Sequence, residues 1–364
     1  MLRFRCLIFS LLATLSAFSQ KGDTLRKYLD QDYSLSKRGR AVYPALAIRK
    51  DDHWMLIATY PDTSLLLVAW FKDKNLTIKD GPYSFYYGNG KQYVQGYFVN
   101  NLPMGGWQYW YANGVLKDSG VMQNGQMVQT WKSWHENGSL MAIGNYKFDS
   151  SIVVLPAADG YTSSLLPKPD VISRTKHGTW ASYFPSGNLY DSGEYVNNRK
   201  NGYWRFWRPG ALLEAEGYFV NDTLTGEWNW YGENGKRSTR EFYKASKLVK
   251  MECYDENGEY TGDFCSILKP PYPLGDFRDF QNYMMDNIQF PKELINKELK
   301  GDVTIQCEIS KDGKLNKLNV VSPYPSLTQE VEKFFNTLTN WSPAIVHNRP
   351  VQYTIEYKLP LTAE

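Results

Sequence analysis

The chain has 364 residues, 42% hydrophobic and 22% charged, which is too apolar for general disorder and long enough for two or three folded units. Its formal net charge of +3 falls to +1 once Arg3 and Arg5 are set aside as part of a leader, so no global attraction to nucleic acid or anionic lipid is expected. An aromatic content of 15%, with 12 Trp and 27 Tyr, requires an architecture that uses large flat side chains repeatedly.

Met1 to Arg5 is a short basic start, Cys6 to Leu15 is almost purely apolar, and Ala17-Phe18-Ser19 puts small residues before Gln20. This pattern predicts a secretory signal over residues 1–19, cut after Ser19. The apolar run is shorter than the roughly 20 residues that span a bilayer, so an exported, periplasmic product is expected; an uncleaved leader anchored in the inner membrane is the alternative. Three cysteines remain, Cys253, Cys265 and Cys307, with no Cys-x-x-Cys spacing, so neither a metal site nor a cofactor is expected. Export permits a Cys253–Cys265 disulfide, the only pair close in sequence; three buried small apolar residues fit equally. Residues 20–53 form an N-terminal segment that is polar and more helical in composition.

Residues 54–266 repeat with a period near 24. The unit is an aromatic, two residues, a second aromatic, a turn and a glycine. It occurs as Tyr83/Tyr86, Trp107/Trp110, Trp131/Trp134, Trp180/Tyr183, Trp204/Trp207 and Trp228/Tyr231, with a weaker Met251/Tyr254 copy and a degenerate first copy around Tyr60 and Trp70. Turn texts such as Tyr-Ala-Asn-Gly and His-Glu-Asn-Gly between β-prone runs predict a β-hairpin per unit. A lone hairpin is marginal in water, so the rings are expected to hold neighbouring units together. Each buried ring contributes about 4 to 6 kcal/mol before ordering entropy. Aromatics at i and i+3 cannot share a face of a regular strand, so an elongated single sheet with aromatics on both faces is expected; a second aromatic that belongs to the turn is the alternative. The Trp131 to Trp180 interval leaves an insertion at about 149–174, rich in Ser, Pro and Gly, that reads as a projecting loop.

The Gly-x-Trp-x-x-Tyr-x-x-x-Gly units resemble the MORN-repeat variant of bacterial exported proteins. That resemblance implies stacked hairpins serving as spacers and interaction surfaces. The alternating Lys132, Glu136, Arg199, Lys200 and Glu216 make no basic face, so membrane contact is expected only by proximity or through an uncleaved leader.

Lys269-Pro270-Pro271-Tyr272-Pro273 breaks the repeat and marks a linker over 267–275. In 276–364 the period changes. Phe277, Phe280, Met284 and Ile288 have helical spacing; Val303, Ile305, Cys307 and Ile309 alternate as a strand; Leu315 to Val321 follows a tight Asp312-Gly313 turn. A helix is expected from Ser326 through Asn340, with Leu327, Val331, Phe334, Phe335 and Leu338 inward, and Val351, Tyr353, Ile355, Tyr357 and Leu359 alternate as a last strand. The order is α-β-β-α-β, so the chain is expected to be mainly β with a small α+β domain at its end.

That order, with Phe290-Pro291, Gly301-Asp302-Val303, Asp312-Gly313, Trp341-Ser342-Pro343-Ala344 and Arg349-Pro350-Val351, resembles the C-terminal domain of TonB energy transducers. The resemblance implies capture of an extended peptide, the TonB box of an outer-membrane transporter, by addition to a sheet edge. Carried onto this sequence, the edge comprises Val351, Gln352, Tyr353, Thr354, Ile355, Glu356, Tyr357 and Lys358, with Arg349 at its entrance. The expected protein is therefore a non-enzymatic binding protein linked to transmembrane transport. The alternative is a scaffold whose terminal domain only caps the repeat sheet or forms a homodimer. Catalysis has no motif to support it, since His53, His135, His177 and His347 are scattered and no acidic pair stands out.

Overall fold

The computed structural model describes residues 24–36, 40–152, 165, 174–265, 268–274, 280–295, 297–338 and 340–361; the signal expected at 1–19 lies outside them, as do most of the residues of the expected insertion. The chain divides into two compact units, one of residues up to Ala211 with Phe219–Thr223, the other of Leu212–Tyr218 with Leu224–Glu364. The fold is mainly β: antiparallel hairpins follow one another along the chain and end in a small α+β region.

In the first unit, strands from Thr24–Leu29 to Arg199–Trp207 form a meander, each pairing with the next. The helical composition of the N-terminal segment is overridden. Thr24–Leu29 and Tyr43–Lys50 are strands, paired with each other, because alternate residues such as Ala45 and Ala47 are buried in the same core as Leu56 and Leu67. The insertion also departs from a simple projecting loop at its described residue Leu165. This side chain is buried in the core, its N–H donates to Tyr33 O, and its carbonyl accepts the Tyr83 hydroxyl at 2.7 Å.

Two kinds of turn alternate along the meander. After the aromatic pair, a turn such as Tyr87 to Gly90 closes with Gly90 N–H donating to Tyr87 O, and the glycine takes φ +77°, a type I turn completed by a left-handed residue. Its side chains reach the next hairpin. Tyr87 OH donates to Trp110 O and Asn89 Nδ2 to Ala112 O, and Tyr111 and Asn113 repeat both bonds to Trp134 O and Glu136 O. The other turns are two-residue loops with both φ values positive, Asn100-Asn101 and Asn197-Asn198 among them, the type I′ geometry that Asn tolerates. Here Asn101 and Asn198 each accept, on Oδ1, the N–H of the residue 22 earlier, Lys79 or Lys176.

The rings and the glycines form one device. Trp107, Trp131 and Trp180 stand opposite Gly120, Gly144 and Gly193 on the following strand. Each of these glycines is in turn covered by the next indole: a Cβ on Gly120, Gly144 or Gly193 would come within 3.0 Å of Trp131, Trp180 or Trp204. The indole N–H fixes the overlap by donating to the carbonyl just after the covered glycine, Val121, Asn145 or Glu194. The first aromatics Tyr83, Trp107, Trp131, Trp180, Trp204 and Trp228 are buried. The second ones, Trp110, Trp134, Tyr183, Trp207 and Tyr231, are half-buried and end their strands beside the turn. In the Trp110, Tyr183 and Tyr231 copies a register shift falls immediately before the second aromatic, and such a shift relieves the parity conflict of the i, i+3 spacing.

The second unit continues the pattern with strands Thr223–Tyr231, Arg237–Lys244, Lys247–Tyr254 and Tyr260–Asp263. Cys253 and Cys265 are joined by a disulfide, and Cys307 is a buried free thiol pushed up to about 12 by desolvation. The type I′ turn here is Ala245-Ser246, with φ +48° and +61°, a left-handed conformation that costs alanine about 1 kcal/mol or more. Ser246 N–H donates to Leu224 O as its Asn counterparts do to Lys79 O and Lys176 O. Ala245→Asn combined with Ser246→Asn is therefore expected to stabilise the second unit by about 2 kcal/mol, from relief of αL strain and one added hydrogen bond. The check is the urea midpoint of the doubly substituted full chain, which should rise without a change in slope.

The terminal region has helices Phe280–Asn287 and Pro325–Thr337 and a three-stranded antiparallel sheet in which Asp302–Ile309 is central, flanked by Leu315–Val321 and Tyr353–Pro360. Met284, Val303, Ile305, Cys307, Leu327, Val331, Phe335 and Trp341 form its core. The second helix stops at Thr337, before the expected Asn340, and carries Pro325 in its first turn. Gly313 is required sterically: a Cβ there would meet Trp341 O, and Trp341 N–H donates to Gly313 O. The linker is partly structured, since Leu268–Lys269 pairs with Ala344–Val346, and Tyr272–Pro273 with Trp341–Ser342.

Candidate functional site

The strand Tyr353–Pro360 pairs with Asp302–Ile309 on one side and, among the described residues, with no strand on the other. Its inward side chains Tyr353, Ile355, Tyr357 and Leu359 are partly or fully buried, while Thr354, Glu356 and Lys358 are exposed. Leu361 N–H donates to Gly301 O, which sets the parity of the ladder. Odd-numbered residues exchange bonds with the central strand, and the N–H and C=O of Thr354, Glu356 and Lys358 point to the open side. Pro360 offers no N–H and ends the donor row. This row can accept an extended chain through main-chain hydrogen bonds.

The rest of the expected edge is arranged differently. Val351 belongs to a separate short strand, Arg349–Val351, which forms a hairpin with Ala344–Val346, and Gln352 lies between it and the long strand. Arg349 does not stand open at an entrance. It is 7% exposed, Nη1 donates to Tyr231 O at 2.9 Å and to Glu214 Oε1 at 3.3 Å, and the guanidinium lies over the Trp230 ring. Residues 351–358 do not form one strand: the ladder breaks at Gln352, where the chain passes from pairing with Ala344–Val346 to pairing with Asp302–Ile309.

That turn is held by the last repeat hairpins. The His347 ring stacks on Trp230 with centroids 3.6 Å apart and planes at 9°. Its Nδ1 lies 2.7 Å from Glu241 Oε1, and Asn348 Nδ2 donates to Tyr254 O. Glu241 is fully buried and accepts three further bonds, from Thr239 Oγ1, Tyr243 OH and Trp230 Nε1. Burial alone would push its carboxyl up; the bonds from His347, Tyr243 and Thr239 outweigh this and hold it below the usual carboxylate range. No sequence motif announced Glu241. Its signal was positional: Gly193 and Gly217 recur at the period of 24, and the next such position is Glu241, while its partner on the following strand is Met251 instead of an indole.

Among the described residues no cluster of His, Cys, Asp or Glu could hold a metal ion, and no helix is long and apolar enough to cross a membrane. Residues 286–360 match the family of the Gram-negative bacterial TonB protein C-terminal, and residues 130–148 and 176–197 match the MORN repeat variant. No curated protein matches the chain. A solved structure titled "Crystal Structure of TcdB2-TccC3-Cdc42" is similar at 10% identity over 64% of this chain and 16% of that chain, with a TM-score of 0.12; a likeness this low carries no argument. Both matched families are non-catalytic, and the chain joins hairpins that match the MORN repeat variant to a terminal region that matches the TonB C-terminal family.

Proposed function

We propose that this is an exported, periplasmic, non-enzymatic binding protein that captures an extended peptide, of the TonB-box kind carried by outer-membrane transporters, on the open edge of Tyr353–Pro360. The observation that carries this reading is the donor and acceptor row of Thr354, Glu356 and Lys358 on a strand that, among the described residues, is paired on one side only. The test is a titration of the full chain with a labelled, extended TonB-box-like peptide, read by fluorescence anisotropy. Glu356→Pro removes an outward N–H without breaking the ladder to the central strand, a placement proline tolerates on edges. It is expected to weaken binding at least about tenfold, the loss of roughly one to two main-chain bonds, with little change in melting temperature. Undiminished binding by Glu356→Pro would rule out this edge.

A second reading is favoured by the grip of the last hairpins on His347 and Arg349: the terminal domain serves as a cap for the repeats, or pairs the same edge with a second copy. Sedimentation of the full chain tests the pairing arm, since edge-to-edge pairing gives a dimer that Glu356→Pro converts to monomer, whereas a cap leaves a monomer that the peptide titration finds unable to bind.

A further inference from the structure

The repeat device changes where it reaches the terminal domain. At Gly217 the glycine is still covered by an indole, Trp228, whose N–H donates to Tyr218 O. One period later the glycine is Glu241 and the indole is replaced by buried Met251. A carboxylate cannot sit beneath a ring as a bare Cα does, and one buried without partners would cost several kcal/mol. Here it gathers donors from its own hairpin and one from the terminal domain, His347. The neighbouring Trp230 offers its face to that imidazole and to Arg349, whose charge is met by Glu214 and by Tyr231 O. The array thus ends in a receptor for the turn His347-Asn348-Arg349, and the chain leaving that turn enters the open-edged strand at Tyr353.

We propose that the last repeat hairpins are a positioning element for the capture strand: Trp230, Glu241 and Glu214 grip the His347–Arg349 turn and hold the entrance of the Tyr353–Pro360 edge in register for an incoming peptide. The proposal rests on the peptide-capture reading for its purpose but not for its geometry. His347 and Arg349 touch no peptide in this scheme; they act through Gln352 and Thr354. Without the grip, the short Ala344–Val351 hairpin loses its outer support, and the first part of the edge frays while Glu356 and Lys358 stay fixed by the central strand.

Two readouts on the full chain test this. The first is amide hydrogen exchange without peptide, comparing wild type with His347→Ala/Arg349→Ala. Exchange over 346–352 is expected to accelerate at least about tenfold, the factor for a single charge-assisted hydrogen bond, since the double substitution removes the bonds of His347 to Glu241 and of Arg349 to Tyr231 and Glu214, while 303–307 and 327–335 keep their protection. The second compares an extended peptide covering the whole edge with one that reaches only Glu356 and Lys358. The long peptide should weaken about tenfold in the doubly substituted chain and the short one should not change, a split that general loss of structure cannot produce. If the double substitution prevents folding, His347→Phe keeps the stack on Trp230, removes the bond to Glu241, and should give the same split at two- to threefold. Unchanged exchange over 346–352, or equal loss for both peptides, overturns the proposal. Failure of the wild-type chain to bind either peptide would sink the capture reading and leave the exchange result to decide the grip.

Discussion

Gly193→Ala is expected to destabilise the first unit by about 3 kcal/mol, within the upper range for forcing an added methyl into a packed interior. The cause is steric and not conformational. The new Cβ would fall closer than 3.0 Å to the fused ring bonds of Trp204, and that indole is 1% exposed and held by bonds from Nε1 to Glu194 O and Asn201 O. Neither the ring nor the strand beneath it has room to move without breaking those bonds. Gly106→Ala is the control. It sits in the strand Leu102–Trp110 with nothing within 4 Å of its added Cβ, so its cost should stay within about 0.5 to 1 kcal/mol. Urea unfolding followed by tryptophan fluorescence compares the two, and equal midpoints would refute the glycine-under-indole account.

The hairpin architecture was legible because its signals are local: a period of 24, Asn-Gly turns and strand alternation. The pairing of Gly193 with Trp180 and its cover by Trp204 were not legible, because both depend on register across two strands, although the glycine and the indole were each visible in the text. The terminal α-β-β-α-β order could be read from the switch between helical and strand spacing, whereas the end of the long strand could not. Val351 shares parity with Tyr353, so alternation continues through the break at Gln352, where the pairing partner changes from Ala344–Val346 to Asp302–Ile309. Arg349 lies just before that run in the sequence, which is why it is expected at the entrance of the edge. Its burial follows from Tyr231 and Glu214, more than a hundred positions earlier, and no local pattern encodes such a contact. Thr24–Leu29 and Tyr43–Lys50 are strands in a segment of more helical composition, because composition reports propensity and pairing with a neighbouring strand overrides it.

Glu241→Ala is expected to cost about 3 to 5 kcal/mol in the second unit, the range for removing one partner of a buried charged network. The side chain is fully buried and accepts from His347, Thr239, Tyr243 and Trp230, so its loss leaves four donors facing a hole that only water could fill. The same network gives the unit an acid-sensitive limb. Glu241 is held below its ordinary value by those bonds in spite of its burial. A carboxyl depressed on folding contributes stability that is complete above the unfolded value, about 4.3, and is lost as pH falls from there through the folded value. Glu241→Gln keeps an oxygen acceptor and the side-chain volume but cannot ionise, so it should be less costly than Glu241→Ala at neutral pH and should flatten the acid limb. Unfolding midpoints between pH 3 and pH 7 for the wild-type chain and both variants supply the check. A wild-type acid limb that survives unchanged in Glu241→Gln would show that other carboxyls carry it and that the His347 turn is not held by this charge.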